Sequence, residues 1–173
     1  MSAFSSAEIE ALIPRLRRFA RALVGNREAA DDLVQDTLER AWAKRHLWQV
    51  GTNLRAWLFA VMHGVFINGT RRRRPSESLD ALENSAPERA DDGASAETSI
   101  AVRELREALL RLPDEQCQVV LLVGLEQLSY AEAAGVLEVP IGTVMSRLAR
   151  GRERLRQLLE EGSSDRHGLR RVK

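Results

Sequence analysis

Cysteine is almost missing from this chain: Cys117 is the single one in 173 residues. No intramolecular disulfide can form, and a reducing compartment is expected. Long apolar runs are also missing. No segment approaches eighteen apolar residues, and the opening stretch MSAFSSAEIEALIPRLRRFA has no apolar core followed by a small-residue cleavage site. Neither a signal peptide nor a membrane span is read, so the cytoplasm is the expected location. A charge excess is lacking as well. The net charge of +1 argues against a uniformly basic DNA-coating protein, though not against a local basic face. Enzyme signatures are absent: there is no glycine-rich phosphate loop, no zinc-ligand spacing and no nucleophile with a base close by in sequence. Neither enzymatic activity, a metal nor a cofactor is expected.

What is present is helical periodicity. Leu12, Leu16, Phe19 and Leu23 make one apolar stripe. Leu33, Thr37 and Ala41 run beside Val34, Leu38 and Trp42. Leu54, Trp57, Leu58, Val61 and Val65 make a third stripe, and Val102, Leu105, Leu109 and Leu112 a fourth. Each recurs at three or four residues, as an amphipathic helix requires, and strand-like alternation is absent. Ser5 with Glu8 and Ser129 with Glu132 have the spacing of capping boxes. Gly25-Asn26 reads as a helix stop followed by a new N-cap. Cys117, beside Val119 to Leu122, reads as a small core residue.

One stretch breaks the rhythm. Residues 75–98, PSESLDALENSAPERADDGASAET, hold two prolines and seven acids against Arg89, a net charge of −6. Such a segment buries too little apolar surface to offset its ordering entropy. The expected organisation is all-α: a helical domain over 6–74, a flexible acidic linker over 75–98, a second helical domain over 99–160 and a tail over 161–173.

The second domain carries the strongest local signal, SYAEAAGVLEVPIGTVMSRLARGRERLRQLL. A short helix follows Ser129, Val139-Pro140-Ile141 stops it, and a second helix runs on from about Gly142. Small residues at Ala133 and Ala134 allow the two to approach. This is the plan of a helix-turn-helix, whose second helix enters the DNA major groove. Arg147, Arg150, Arg152, Arg154 and Arg156 stand on that second helix against Glu153. Arginine neutralises phosphate and bonds a guanine edge in a bidentate way.

The segment from Leu112-Pro113 through Leu128-Ser129-Tyr130, Glu132, Gly142-Thr143-Val144, Ser146-Arg147 and Arg150 resembles the C-terminal DNA-binding domain of extracytoplasmic-function sigma factors. Output domains of response regulators share much of this pattern, which keeps a freestanding helix-turn-helix regulator as the alternative. The N-terminal half favours the sigma factor. AADDLVQDTLERAW is similar to the family helix that docks on the clamp helices of the largest polymerase subunit, with Asp32, Gln35 and Asp36 at family positions. NLRAWLFAVMHGVFINGTRRRR resembles the family helices that recognise and open the minus-ten element, through Asn53, Leu54, Trp57, Leu58, Phe59, Arg71 and Arg72.

The resemblance implies promoter recognition and transcription initiation as a subunit of RNA polymerase. It implies minus-thirty-five contacts by Thr143, Ser146, Arg147 and Arg150, and minus-ten contacts by Asn53, His63, Gly64, Asn68, Arg71 and Arg72. Trp57 and Phe59 would be either base-stacking or core residues. The implied partners are core polymerase, promoter DNA and an anti-sigma factor. Three positions depart from the family: Gly64 replaces an asparagine, Asn68 an aspartate, and Glu138 a turn glycine.

Overall fold

The computed structural model describes residues 4–73 and 96–168. The segment 74–95, which holds most of the expected linker, lies outside the described residues, as do the last five residues of the tail. Seven α-helices and no strand occur among the described residues. The first domain contains α1 (Ser6–Val24), α2 (Arg27–Ala43), a short 3-10 turn (Arg45–Leu47) and α3 (Leu54–Arg73). The second contains α4 (Ala96–Leu110), α5 (Asp114–Val120), α6 (Tyr130–Leu137) and α7 (Ile141–Gly168).

Helix ends follow the local chemistry. Ser5 and Ser129 each accept from the backbone N–H three residues on, while Glu8 and Glu132 reach back to the cap N–H. Both capping boxes are therefore closed, satisfying amides that a helix start leaves free. Gly25 closes α1 in the left-handed conformation (φ 74°), where a Cβ would be strained. Asn26 then caps α2 through a bond from the Ala29 N–H. Glu138 also adopts the left-handed conformation (φ 53°) at the turn where glycine is usual. The turn thus keeps its geometry and a non-glycine residue bears the strain.

Leu16, Phe19 and Leu23 of α1 meet Leu33, Val34 and Ala41 of α2 and Leu58, Phe59, Met62 and Val65 of α3. Phe59 lies in this core, its ring centroid 4.9 Å from that of Phe19, so base stacking does not fall to it. Trp57 is half-buried, and Phe4 bridges it to Trp48 with centroids 5.6 and 5.7 Å away. Trp42, expected on an apolar stripe, is 46% exposed. It stands at the end of α2 beside Phe4, ring centroids 6.4 Å apart, and Arg45 stacks on its ring.

The fourth stripe is corrected in part. Leu109 and Leu112 are buried, but Val102 and Leu105 are exposed. The buried positions of α4 and of the turn after it are Ala108, Leu109 and Leu112, so its apolar face is covered toward its C-terminal end. Beyond α5 the chain widens into a π-turn (Leu121–Leu125) before Glu126 and Gln127. Helix α7 continues to Gly168, through the first part of the expected tail.

The two domains touch. Helix α1 packs against α4 and α5, α3 packs against α6, and the buried apolar residues of both halves form one continuous cluster.

Candidate nucleic-acid interface

Helices α6 and α7 form the helix-turn-helix. Ala133, Val136 and Leu137 of α6 are buried with Val144 and Leu148 of α7. Gly151 lets α7 close onto α5: a Cβ there would lie 2.8 Å from Val120 Cγ2. With Val144, Leu148, Gly151 and Leu158 turned inward, the opposite face of α7 carries Ser146 and Arg150, both exposed, and half-buried Thr143. Ser146 donates to the Thr143 carbonyl at 3.1 Å, and Arg150 Nε donates to the Ser146 carbonyl at 3.2 Å. The guanidinium of Arg150 is thus held along the exposed face of α7.

Arg147 is placed differently. Its side chain is only 21% exposed and pairs with Glu115 of α5 at 2.8 Å. The sequence reading did not single out Glu115; the only signal was an acid in the first turn of α5. Further along, Arg156 bonds both Glu153 and Glu160. Arg156, and after it Gln157, hold the Glu153 carboxyl below its usual range by hydrogen bonding it. Arg156 is therefore partly neutralised by its own helix.

On α3, Asn53 precedes the first turn, where its Oδ1 accepts from the Ala56 N–H. Its amide Nδ2 donates to Glu132 of α6. His63 is half-buried, with Nδ1 2.6 Å from Gln118 Oε1 of α5. Gly64 is open: nothing would meet a Cβ within 4 Å. Asn68 is exposed. Arg71 and Arg72 lie in the last turn of α3, and their side chains fall outside the described residues.

Asp32, Gln35 and Asp36 are brought together on the outer face of α2, all exposed, with Gln35 donating to Glu39 at 3.1 Å. They face away from Leu33, Val34 and Thr37, which are buried. Beside them, Ile9 and Glu10 of α1 and Leu38, Glu39 and Trp42 of α2 line a shallow, mainly apolar hollow of about 520 Å³. No group of three or more metal-ligating side chains occurs among the described residues. No helix among them is long and apolar enough to cross a membrane.

Known proteins share this arrangement. Residues 9–63 match the family described as the Sigma2 domain of PhyR, and residues 102–155 match Sigma-70, region 4. The chain is 37% identical over 159 residues to the ECF RNA polymerase sigma factor EcfG of Rhodopseudomonas palustris, covering 91% of this chain and 87% of that one. The chain belongs to the ECF RNA polymerase sigma factors. Its function is therefore to direct RNA polymerase to promoters, and it is not an enzyme. The sigma factor SigW of Bacillus subtilis is 29% identical, with 80% of each chain covered. Among solved structures, the sigma factor RpoE of Bartonella quintana, in complex with the anti-sigma factor NepR, superposes with a TM-score of 0.75 at 36% identity. That match covers 89% of this sigma factor and 95% of RpoE. The structure of CnrH with the cytosolic domain of CnrY shares the fold, with a TM-score of 0.63 at 23% identity.

Proposed function

We propose a division of labour among three surfaces of this sigma factor. The outer face of α2, through Asp32, Gln35 and Asp36, docks on the clamp helices of the largest polymerase subunit. Helix α3 and the residue before it, through Asn53, His63, Gly64, Asn68, Arg71 and Arg72, recognise and open the minus-ten element. Thr143, Ser146, Arg147 and Arg150 of α7 contact the minus-thirty-five element, Arg150 reading its bases and Arg147, paired with Glu115, adding contact that is independent of sequence. The observation that carries this reading is the face of α7: Thr143, Ser146 and Arg150 lie on one side, hydrogen-bonded in a row, opposite the buried stripe that fixes α7 on α5 and α6. Residues on the early turns of a recognition helix are those that reach base edges.

The relative RpoE is described in complex with the anti-sigma factor NepR. That complex supports an anti-sigma factor as the inhibitory partner of this chain also. The protein works in the cytoplasm, where polymerase and promoters are.

The test is holoenzyme assembly and promoter binding with the full chain. Asp36→Arg should weaken binding to core polymerase about tenfold or more while thermal unfolding stays unchanged, since exposed helix positions tolerate substitution. Wild-type affinity for core would remove α2 as the docking surface. Holoenzyme should bind a bipartite promoter tightly, with a sharp dependence on spacer length. Tight specific binding by the free chain, unaltered by core polymerase, would favour a freestanding regulator instead.

A further inference from the structure

Helix α7 begins with an apolar edge that its packing does not use. Ile141, its first residue, is 49% exposed, and Met145, one turn on, is 52% exposed. Neither belongs to the apolar cluster of the described residues, to which α7 contributes Val144, Leu148 and Leu158. Helical periodicity sets Ile141, Met145 and Arg152 along one edge of α7, and Arg147 and Arg154 along the other. The Arg147 edge leans on α5 through Glu115. The Ile141 edge is open: Met145, Ala149 and Arg152 are all exposed. Between the two edges runs the face that carries Ser146 and Arg150.

Lone exposed apolar side chains are ordinary. Two of them one turn apart, at the start of a recognition helix, stand where base edges are reached. Together they are far too small for a protein partner, since a stable protein interface covers roughly 800 Å² on each side. Their neighbours also suit nucleic acid. Ser146 and Arg150 flank Met145, and Arg152 follows it two turns on with a charge suited to phosphate. The occupant that fits is a small apolar group carried by DNA.

The major groove offers one such group, the C5 methyl of thymine. Met145 has no donor for the N7 and O6 acceptors of guanine, and its thioether sulfur is only a weak acceptor. Against guanine, adenine or cytosine it would cover polar edge atoms and give them no partner. Against thymine it covers a methyl. Met145 is unbranched and adapts to the position of that methyl, whereas Ile141 is branched at Cβ and stiff, which gives the contact a fixed wall. An arginine at this edge would favour guanine instead.

We propose that Ile141 and Met145 form an apolar reading edge, which selects thymine at one or two positions of the minus-thirty-five element through its methyl group. The proposal rests on the assignment of α7 to that element, made above. It divides readout along the helix: Arg150 selects by hydrogen bonding, and the Ile141 and Met145 edge by apolar contact. Burial of one methyl is enough to change affinity about fourfold.

The test uses holoenzyme assembled with the full chain. Tight-binding elements are selected from promoters randomised over the minus-thirty-five region. Each thymine in them, on either strand, is then replaced by deoxyuridine, which keeps the base pairing but lacks the methyl. At one or two positions the replacement should lower affinity about fourfold. That loss should disappear in Ile141→Ala/Met145→Ala and persist in Arg150→Ala. At the same positions 5-methylcytosine should bind better than cytosine with wild type and equally with the double variant. Thermal unfolding of the double variant should match wild type, because both side chains are exposed. Deoxyuridine without effect at every thymine, or an equal loss in wild type and double variant, would overturn the proposal. So would weaker binding of the double variant to core polymerase in the absence of DNA, which would make the occupant a protein. If instead α7 does not face the minus-thirty-five element, Arg150→Ala will leave the selected sequences unchanged as well. A shifted selection with Arg150→Ala, while deoxyuridine is silent, removes the apolar edge alone, so the two failures are distinguishable.

Discussion

Arg147 and Glu115 form an ion pair of 2.8 Å that ties the recognition helix to α5 and leaves the Arg147 side chain mostly covered. Arg150, one turn on, has its Nε bonded to a main-chain carbonyl of its own helix and is exposed. The two arginines are one residue type at neighbouring positions, yet only one is presented to solvent. Base readout should therefore fall mainly to Arg150. Arg150→Ala should cost about 1–3 kcal/mol at one or two positions of the minus-thirty-five element and little elsewhere. Arg147→Ala should weaken holoenzyme binding evenly across sequences, and Glu115→Ala should release Arg147 and raise affinity for non-specific DNA. A panel of upstream elements bound by holoenzyme measures all three. A sharp change of sequence preference in Arg147→Ala alone would reverse the assignment.

Two helical glycines should respond with opposite sign to alanine. At Gly135 of α6 nothing would meet a Cβ within 4 Å, so Gly135→Ala should add about 0.5–1 kcal/mol by removing backbone freedom from the unfolded chain. At Gly151 the new methyl would press on Val120 at 2.8 Å and on Gln116 at 3.3 Å. Overpacking of that kind costs about 1–3 kcal/mol, which outweighs the helix gain. Thermal unfolding of the two variants should move in opposite directions. A stabilised Gly151→Ala would mean that α5 and α7 are less tightly apposed than the structure shows.

Cys117 should be chemically silent. Burial, and then the nearby Asp114 charge, push its thiol up to about 12, so almost no thiolate exists at neutral pH. Alkylation of the native chain should be about a hundredfold or more slower than that of the denatured chain, and should follow opening of the second domain. Labelling as fast as a free thiol, without loss of helicity, would contradict the packing around α5.

Acid should weaken the start of α6. The Glu132 carboxyl lies below its usual range because the Ser129 backbone N–H and hydroxyl bond it, with Asn53 adding to them. A depressed carboxylate contributes stability above its unfolded value and loses it as pH falls through the folded value. The stability difference between wild type and Glu132→Gln should therefore be full near neutral pH and shrink below the ordinary carboxylate range. Denaturant unfolding at several pH values measures it. A difference that grows on acidification would mean that Glu132 is not ionised in the cap.

Much of this protein was legible in the chain before any coordinates. The stripe Leu16, Phe19 and Leu23, the capping boxes at Ser5 and Ser129, the stop at Gly25 and the break at Val139-Pro140 are local events. Each is written within four residues, because helical periodicity and capping act over one turn. The helix-turn-helix and the acidic face of α2 follow from the same short-range rules, whereas the family was indicated by the resemblance of the motifs on those helices.

Which side chains remain free was decided only by packing. Val102 and Leu105 fit their stripe as well as Leu109 does, yet they stay exposed while Leu109 is buried. Phe59 fitted either a base-stacking or a core role until Phe19 met it from another helix. Glu126 reads as an ordinary acid between two leucine-rich segments. Its burial depends on Arg15 and Arg18, more than a hundred residues earlier, and on the approach of one domain to the other. The sequence by itself determined the helices and the chemistry each displays. The tertiary structure alone decided which charges meet, because such pairing depends on distances between elements far apart along the chain, and local periodicity carries no record of them.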